Sequence, residues 1–151
     1  MKIKLFVTCI ILALLPGIIG SIFTKDNVQS DWYQLNKPSF TPPNYVFPIV
    51  WTTLYILIGI SLYLAWTSAK KSQKGKLAKL FALNLILNLF WTPLFFSLQN
   101  PILSLIDLYL LIISTIWLII FIYKINKTSS LILIPYLIWI TFASFLNLAF
   151  T

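Results

Sequence analysis

The chain contains no histidine, no arginine and no glutamate; its charged residues are eleven lysines and three aspartates, for a net charge of +8. Without histidine there is no Ser–His–Asp triad and no His-ligated zinc or haem; without glutamate there is no paired-glutamate acid/base site. The single cysteine, Cys9, leaves no disulfide to close within the chain. Charge is scarce altogether, at 9% of 151 residues, where a soluble domain carries about 25%. Hydrophobic side chains make up 60%, aromatic ones 17%, and the mean hydropathy is +0.93. No soluble fold of this length hides that much apolar surface. The lysines are too few, and too separated by apolar runs, to form a nucleic-acid face. The partner this composition demands is the lipid bilayer.

A bilayer core of about 30 Å takes roughly 20 apolar residues per helix. Five stretches qualify, at residues 3–23, 46–67, 77–98, 102–123 and 129–150, with one sizeable loop at 24–43. The expected fold is therefore all-α, an integral membrane bundle of five helices forming one domain over residues 1–151. Thr41-Pro42-Pro43 reads as an N-cap followed by first-turn prolines, and Asn100-Pro101 repeats that signal. Pro16, Pro48, Pro93 and Pro135 fall inside or near the starts of spans and predict local kinks, which neighbouring helices absorb. Lys2, Lys4, the lysines of the 68–79 loop, Lys124 and Lys127 fall on one side; Lys25 and Lys37 fall on the other, offset by Asp26 and Asp31. The positive-inside rule then puts the N-terminus in the cytoplasm and the long loop and C-terminus outside. A secretory signal at residues 1–21 is the rival reading of the first span. Its apolar run is long for that role and Ile18-Ile19-Gly20 is a poor cleavage site.

The informative residues are polar or aromatic ones inside spans. Trp51 and Tyr55 share a helix face at i, i+4. Asn84, Asn88 and Trp91 form one stripe in the third span; Tyr136, Trp139, Ala143 and Asn147 form another in the fifth. Three such stripes fit a shared interior pocket with flat walls and a few hydrogen-bonding tips. The plainer alternatives are interfacial belts for Trp and Tyr and simple helix-to-helix bonding for Asn. Trp66 and Trp117 read as belt or lipid-facing residues. Asp107 is the one carboxylate within a span, about 9 Å past Pro101 along the axis. An intramembrane acid is a functional candidate. The plainer reading is an inward-facing group near the outer surface, helped by the helix dipole and bonded to an outer-loop lysine or a tyrosine hydroxyl. The segment from Asp31 to Pro43 holds Trp32, Tyr33, Phe40, Lys37 and three prolines, too stiff for a tether. It reads as a lid with Trp32, Tyr33 and Phe40 facing a cavity mouth, or else as a segment lying among headgroups.

At these residues the sequence resembles the TspO/MBR translocator family, bacterial type. The matching residues begin at Trp32-Tyr33, Leu35, Lys37-Pro38-Ser39-Phe40 and Pro42-Pro43. They continue through Trp51-Thr52, Tyr55, Gly59 and Trp66, then Asn84, Asn88, Trp91, Pro93 and Asp107. They close with Pro135-Tyr136, Trp139, Ala143 and Asn147. The resemblance implies a five-helix bundle, often a homodimer, with a pocket opening toward the first loop. It implies porphyrin, especially protoporphyrin, as ligand or substrate, and no intrinsic cofactor. By residue matching, Tyr33, Pro42, Asn88, Trp91 and Ala143 would line the pocket. Trp51 and Trp139 match the tryptophans to which light-dependent porphyrin degradation has been attributed. Porphyrin carboxylates need donors, for which Lys37, Asn84, Asn88 and the Tyr33 hydroxyl are available. Without histidine, metal-free porphyrin suits the chain better than haem. The sterol-associated Tyr and Arg of animal members are absent from residues 146–151, and Phe40 stands where Trp is frequent.

The expected function is thus a porphyrin-binding membrane protein, sited in a bacterial plasma membrane, that senses, sequesters or photo-oxidatively degrades the pigment. The alternatives are a transporter of porphyrins or other amphipathic molecules, which one buried aspartate and no inverted repeat support poorly, or a non-catalytic membrane scaffold.

Overall fold

The structure, a computed structural model, describes residues 2–151 and contains no strand among them. Helix α1 spans Ile3–Thr24, a short α2 spans Asp31–Asn36, and α3 spans Val46–Ser68. Helix α4 runs over Lys71–Thr92 and continues through a wider π turn at Pro93–Ser97; α5 spans Pro101–Tyr123. The last span is in two pieces, α6 at Lys127–Ile132 and α7 at Ile134–Leu148. Five of these stretches are long and apolar enough to cross a membrane: Ile3–Thr24, Val46–Ser68, Lys71–Ser97, Pro101–Tyr123 and Lys127–Leu148. This is an integral membrane helix bundle.

Several helix ends depart from the sequence reading, each for a local reason. Residues 41–43 do not cap α3: the helix begins at Val46, and the chain before it is irregular with a turn at Asn44 and Tyr45. Two consecutive prolines leave no N–H to donate and hold the preceding backbone extended. The Asn100 signal does operate, its side chain accepting from Leu103 N at 2.9 Å with Pro101 in the first turn. The 68–79 segment is not a loop. Gln73 Oε1 accepts from Lys70 N at 2.9 Å, and lysine is a good helix former, so α4 starts at Lys71 and carries Lys71, Lys74, Lys76 and Lys79. Lys74 sits over the Trp66 ring at 5.3 Å and Lys76 over Phe121 at 5.0 Å, long stems lying along apolar rings. Trp117, also beneath Lys76, is 52% exposed.

Two of the four prolines sit at irregularities of their spans, while Pro16 and Pro48 lie within the unbroken α1 and α3. Pro93 opens the π turn, with Leu98 N donating to Pro93 O at 3.0 Å. Pro135 cannot donate into the preceding turn, and the fifth span breaks at Leu133 just before it.

The spans close into a ring in which α1 packs on α3 and α4, α4 on α5, α5 on α6 and α7, and α6 back on α3. Small residues set the closest approaches. Ser61 and Ser129 exchange bonds at the lysine-rich end: Ser61 Oγ donates to Ser129 O at 2.8 Å and Ser129 Oγ to Ser61 O at 2.7 Å. Gly59 faces the α1 backbone so closely that a Cβ there would lie 2.9 Å from Ile10 Cα and 3.2 Å from Cys9 O. Toward the loop end, α3 and α7 hardly touch, and the space between them is the cavity described below.

Gly59→Ala is expected to push α1 off α3 and cost about 1–3 kcal/mol, as overpacked sites do. Gly75→Ala, on α4 with nothing within 4 Å of the new methyl, should be neutral or stabilising by up to about 1 kcal/mol. Thermal unfolding of both variants in a neutral detergent measures the contrast.

Candidate ligand site

Each wall of the cavity comes from a stripe brought inward by helical spacing. On α3, Trp51 stacks on Tyr55 with centroids 5.4 Å apart and planes at 26°. On α4, Asn88 and Trp91 face the same space; on α7, Trp139 and Ala143 complete it. The cavity holds about 700 Å³ and lies in the loop-side half of the bundle, between α1, α3, α4, α5 and α7. The exposed lining residues Ile18, Ser21, Lys25, Asn44, Pro48 and Thr52 mark its opening, between the last two turns of α1 and the first two of α3. Gly17 makes room for the wall: a Cβ there would overlap the Tyr55 ring.

Its floor is a chain of side-chain hydrogen bonds. Tyr55 Oη donates to Asn88 Oδ1 at 2.7 Å, and Asn88 Nδ2 donates to Tyr136 Oη at 3.1 Å. Tyr136 Oη donates to Asn84 Oδ1 at 3.2 Å, and Asn84 Nδ2 donates to Ser114 Oγ and Thr115 Oγ1 at 2.9 and 2.8 Å. A second knot lies near the loop end. Trp91 Nε1 donates to Asn147 Oδ1 at 3.0 Å, and Asn147 Nδ2 donates to Pro101 O at 2.8 Å, fastening α7 to α4 and α5.

The loop folds over this end. The Ser30 side chain caps α2, accepting from Tyr33 N at 3.3 Å. Tyr33 lines the cavity and stacks on Phe150 with centroids 5.7 Å apart. Burial pushes the Tyr33 phenol above its ordinary titration range, so it stays a neutral hydroxyl. Trp32 packs instead on Phe95 and Phe150, at 5.3 and 5.4 Å. Three buried polar atoms have no hydrogen-bond partner among the described residues: Thr41 Oγ1, Trp139 Nε1 and Asp107 Oδ2. The first two belong to residues that line the cavity.

Of the sequence candidates, Tyr33, Trp51, Tyr55, Asn88, Trp91, Trp139 and Ala143 surround one space, and Lys37, Pro42 and Asn84 do not. Asn84 lies a helical turn deeper than Asn88, and Ser114, Thr115 and Tyr136 use up its amide. Lys37 falls just past the end of α2 in extended backbone, which turns its Nζ outward to Gln34 Oε1 at 2.6 Å. Pro42 is half-buried beside Thr41, which takes the lining position. Phe40 does not face the mouth; it is 53% exposed. Asp107 faces inward as expected, but neither a lysine nor a tyrosine hydroxyl bonds its Oδ2, because Asn84 and Asn88 occupy the Tyr136 hydroxyl. Sequence reasoning missed Lys25, Thr41 and Phe150. In the sequence Lys25 is a loop charge with no pocket signal; for Phe150, pairing with Tyr33 across the fold leaves no spacing signal.

Fold and cavity together define an integral membrane protein with an aromatic chamber beneath a structured loop. The TspO/MBR family profile matches residues 9–151, and the chain belongs to that family. It is 46% identical over 149 residues to the tryptophan-rich protein TspO of Archaeoglobus fulgidus, covering 99% of this chain and 96% of that one. The tryptophan-rich sensory protein of Cereibacter sphaeroides is 31% identical, covering 95% of this chain and 87% of its own. The translocator protein of Bos taurus is 30% identical, covering 88% and 80%.

Tyr136→Phe removes the hydroxyl that serves both Asn84 and Asn88. It is expected to cost about 0.6–2 kcal/mol, seen as a lower thermal midpoint in detergent. Tyr63→Phe, which loses only an exposed 3.3 Å contact from Lys2 N, should stay within about 0.5 kcal/mol.

Proposed function

We propose that the protein is a membrane receptor for tetrapyrroles, taking a porphyrin into the aromatic chamber to sense it, sequester it or, in light and air, degrade it. The observation that carries this reading is the chamber itself, about 700 Å³ and within the usual range for small-molecule sites. Its walls are indole and phenol faces, which suit a flat apolar macrocycle. Its deep polar groups are bonded to one another, so the floor needs no ligand to complete it. The Trp139 Nε1–H and the Thr41 hydroxyl do lack partners, a pattern that fits hydrogen bonds completed by a ligand. The word "sensory" in the name of the Cereibacter sphaeroides relative supports the sensing role.

Degradation needs no acid, base or metal from the protein. The bound pigment absorbs the light and dioxygen is the oxidant. Dioxygen adds across a carbon–carbon bond at a bridge of the macrocycle; that bond breaks, and each carbon keeps one oxygen. Trp51 and Trp139 hold the ring against oxidisable indoles, so the pigment supplies the chemistry and the protein the position. The closed lysine-side half, sealed by Tyr136, Asn84 and the Ser61–Ser129 contact, favours retention over passage. By the positive-inside rule we assign the lysine-rich end and the N-terminus to the cytoplasmic face of a bacterial plasma membrane, with the loop and C-terminus outside.

Titration of the purified protein with protoporphyrin in neutral detergent should give saturable binding at micromolar concentration with quenching of tryptophan fluorescence. Illumination in air should then bleach the bound pigment. Trp51→Phe and Trp139→Phe are each expected to slow bleaching about tenfold, a loss of ~1.4 kcal/mol in the barrier. Absence of saturable binding overturns the proposal; binding with no protein-dependent bleaching restricts it to sensing or sequestration.

A further inference from the structure

The polar inventory of the chamber decides how an acidic ligand can lie in it. Asn88 and Tyr55 at the floor are bonded to each other, Asn84 is outside the cavity, and Lys37 is turned to Gln34. An ionised carboxylate driven down to those spent groups at the floor would lose its hydration without gaining a donor, which is strongly unfavourable; the donors still open in the lining, the Trp139 Nε1–H and the Thr41 hydroxyl, carry no charge to offset its own. Only one charged side chain lines the cavity among the described residues, and that is Lys25. It follows the last turn of α1 at the mouth, its backbone held by a bond to Ser21 O at 3.1 Å while its side chain is exposed. No ion pair within 4.0 Å engages its ammonium group among the described residues, although Asp26 and Asp31 are close in sequence. An ammonium on a flexible four-carbon stem can follow an anion over an entrance while both remain in contact with water.

From this we infer that Lys25 is the anionic anchor of the site: it pairs with a carboxylate of the ligand at the mouth and sets the ring inward against Trp51 and Trp139. The inference rests on the reading of the chamber as a tetrapyrrole site and adds to it a binding residue and an orientation. It also names a ligand class, flat apolar molecules with an acid group at one edge. Because the pair is solvent-exposed, it acts as a selector of modest strength and weakens as salt screens it.

The test compares protoporphyrin with its dimethyl ester, which keeps the macrocycle and removes the charge. Both are titrated in neutral detergent against wild type, Lys25→Gln, Lys25→Arg and Lys37→Gln, and the ester-to-acid ratio of Kd is compared between variants, so that partition into micelles cancels. At low ionic strength Lys25→Gln should lower that ratio about threefold relative to wild type, the size of an exposed ion pair. Lys25→Arg and Lys37→Gln should hold it near the wild-type value, and about 0.5 M salt should erase the difference between wild type and Lys25→Gln. A ratio unchanged in Lys25→Gln, or lowered instead in Lys37→Gln, overturns the anchor and leaves the tetrapyrrole reading standing. If neither form binds wild type, the tetrapyrrole reading falls and the anchor with it.

Discussion

Inside a bilayer core there is no water to satisfy a polar group, so every buried amide and hydroxyl must find its partner within the protein. In this chain the longest answer to that requirement is one continuous run of side chains, Tyr55–Asn88–Tyr136–Asn84–Ser114/Thr115. The run crosses four spans, α3, α4, α7 and α5, and fixes their rotation about their own axes. Apolar packing alone would leave that rotation weakly specified, since lipid tails are as apolar as the leucines they meet. The stripe on each helix faces inward because its amides and hydroxyls have no other place to go, and the aromatic residues on the same stripes are carried in with them.

The chamber follows from that arrangement. Where the chain of hydrogen bonds runs, the helices are held together; loopward of it, α3 and α7 part, and large rings line the gap. The division also sorts the chemistry. Below, polar atoms are saturated by one another; above, they are few and several stand open, notably the Trp139 indole N–H and the Thr41 hydroxyl. What the chamber offers a guest is therefore mostly π faces, with hydrogen bonding concentrated at the rim.

The spans and their inward stripes were legible because side-chain spacing on a helix follows from its 3.6-residue turn. Trp51 with Tyr55, Asn88 with Trp91, and Trp139 with Ala143 needed nothing more. Positions whose direction depends on where a helix stops were not legible. Lys37 stands four residues after the inward Tyr33 and would share its face had α2 continued, but the helix ends at Asn36 and the side chain swings out. Asn84 lies on the same stripe as Asn88; depth along the axis, not direction, separates its role. Thr41 before two prolines looked like a helix cap, and the tertiary path of the loop turned it into part of the cavity wall. The lysines of α4 read as loop by charge, yet their helical propensity and the Gln73 bond carry the helix out to Lys71. Phe150 on Tyr33 is a contact between residues distant in sequence, which periodicity cannot show.

The reciprocal bond between Ser61 and Ser129 makes the lysine-rich end the joint of a pair of tongs. Two small side chains trading hydrogen bonds with each other's backbone hold α3 and α6 at their closest approach, and the break at Leu133 separates that joint from the arm, α7, beyond it. Any parting of these two arms would therefore widen the chamber at its loop end, away from the joint that the serine pair holds.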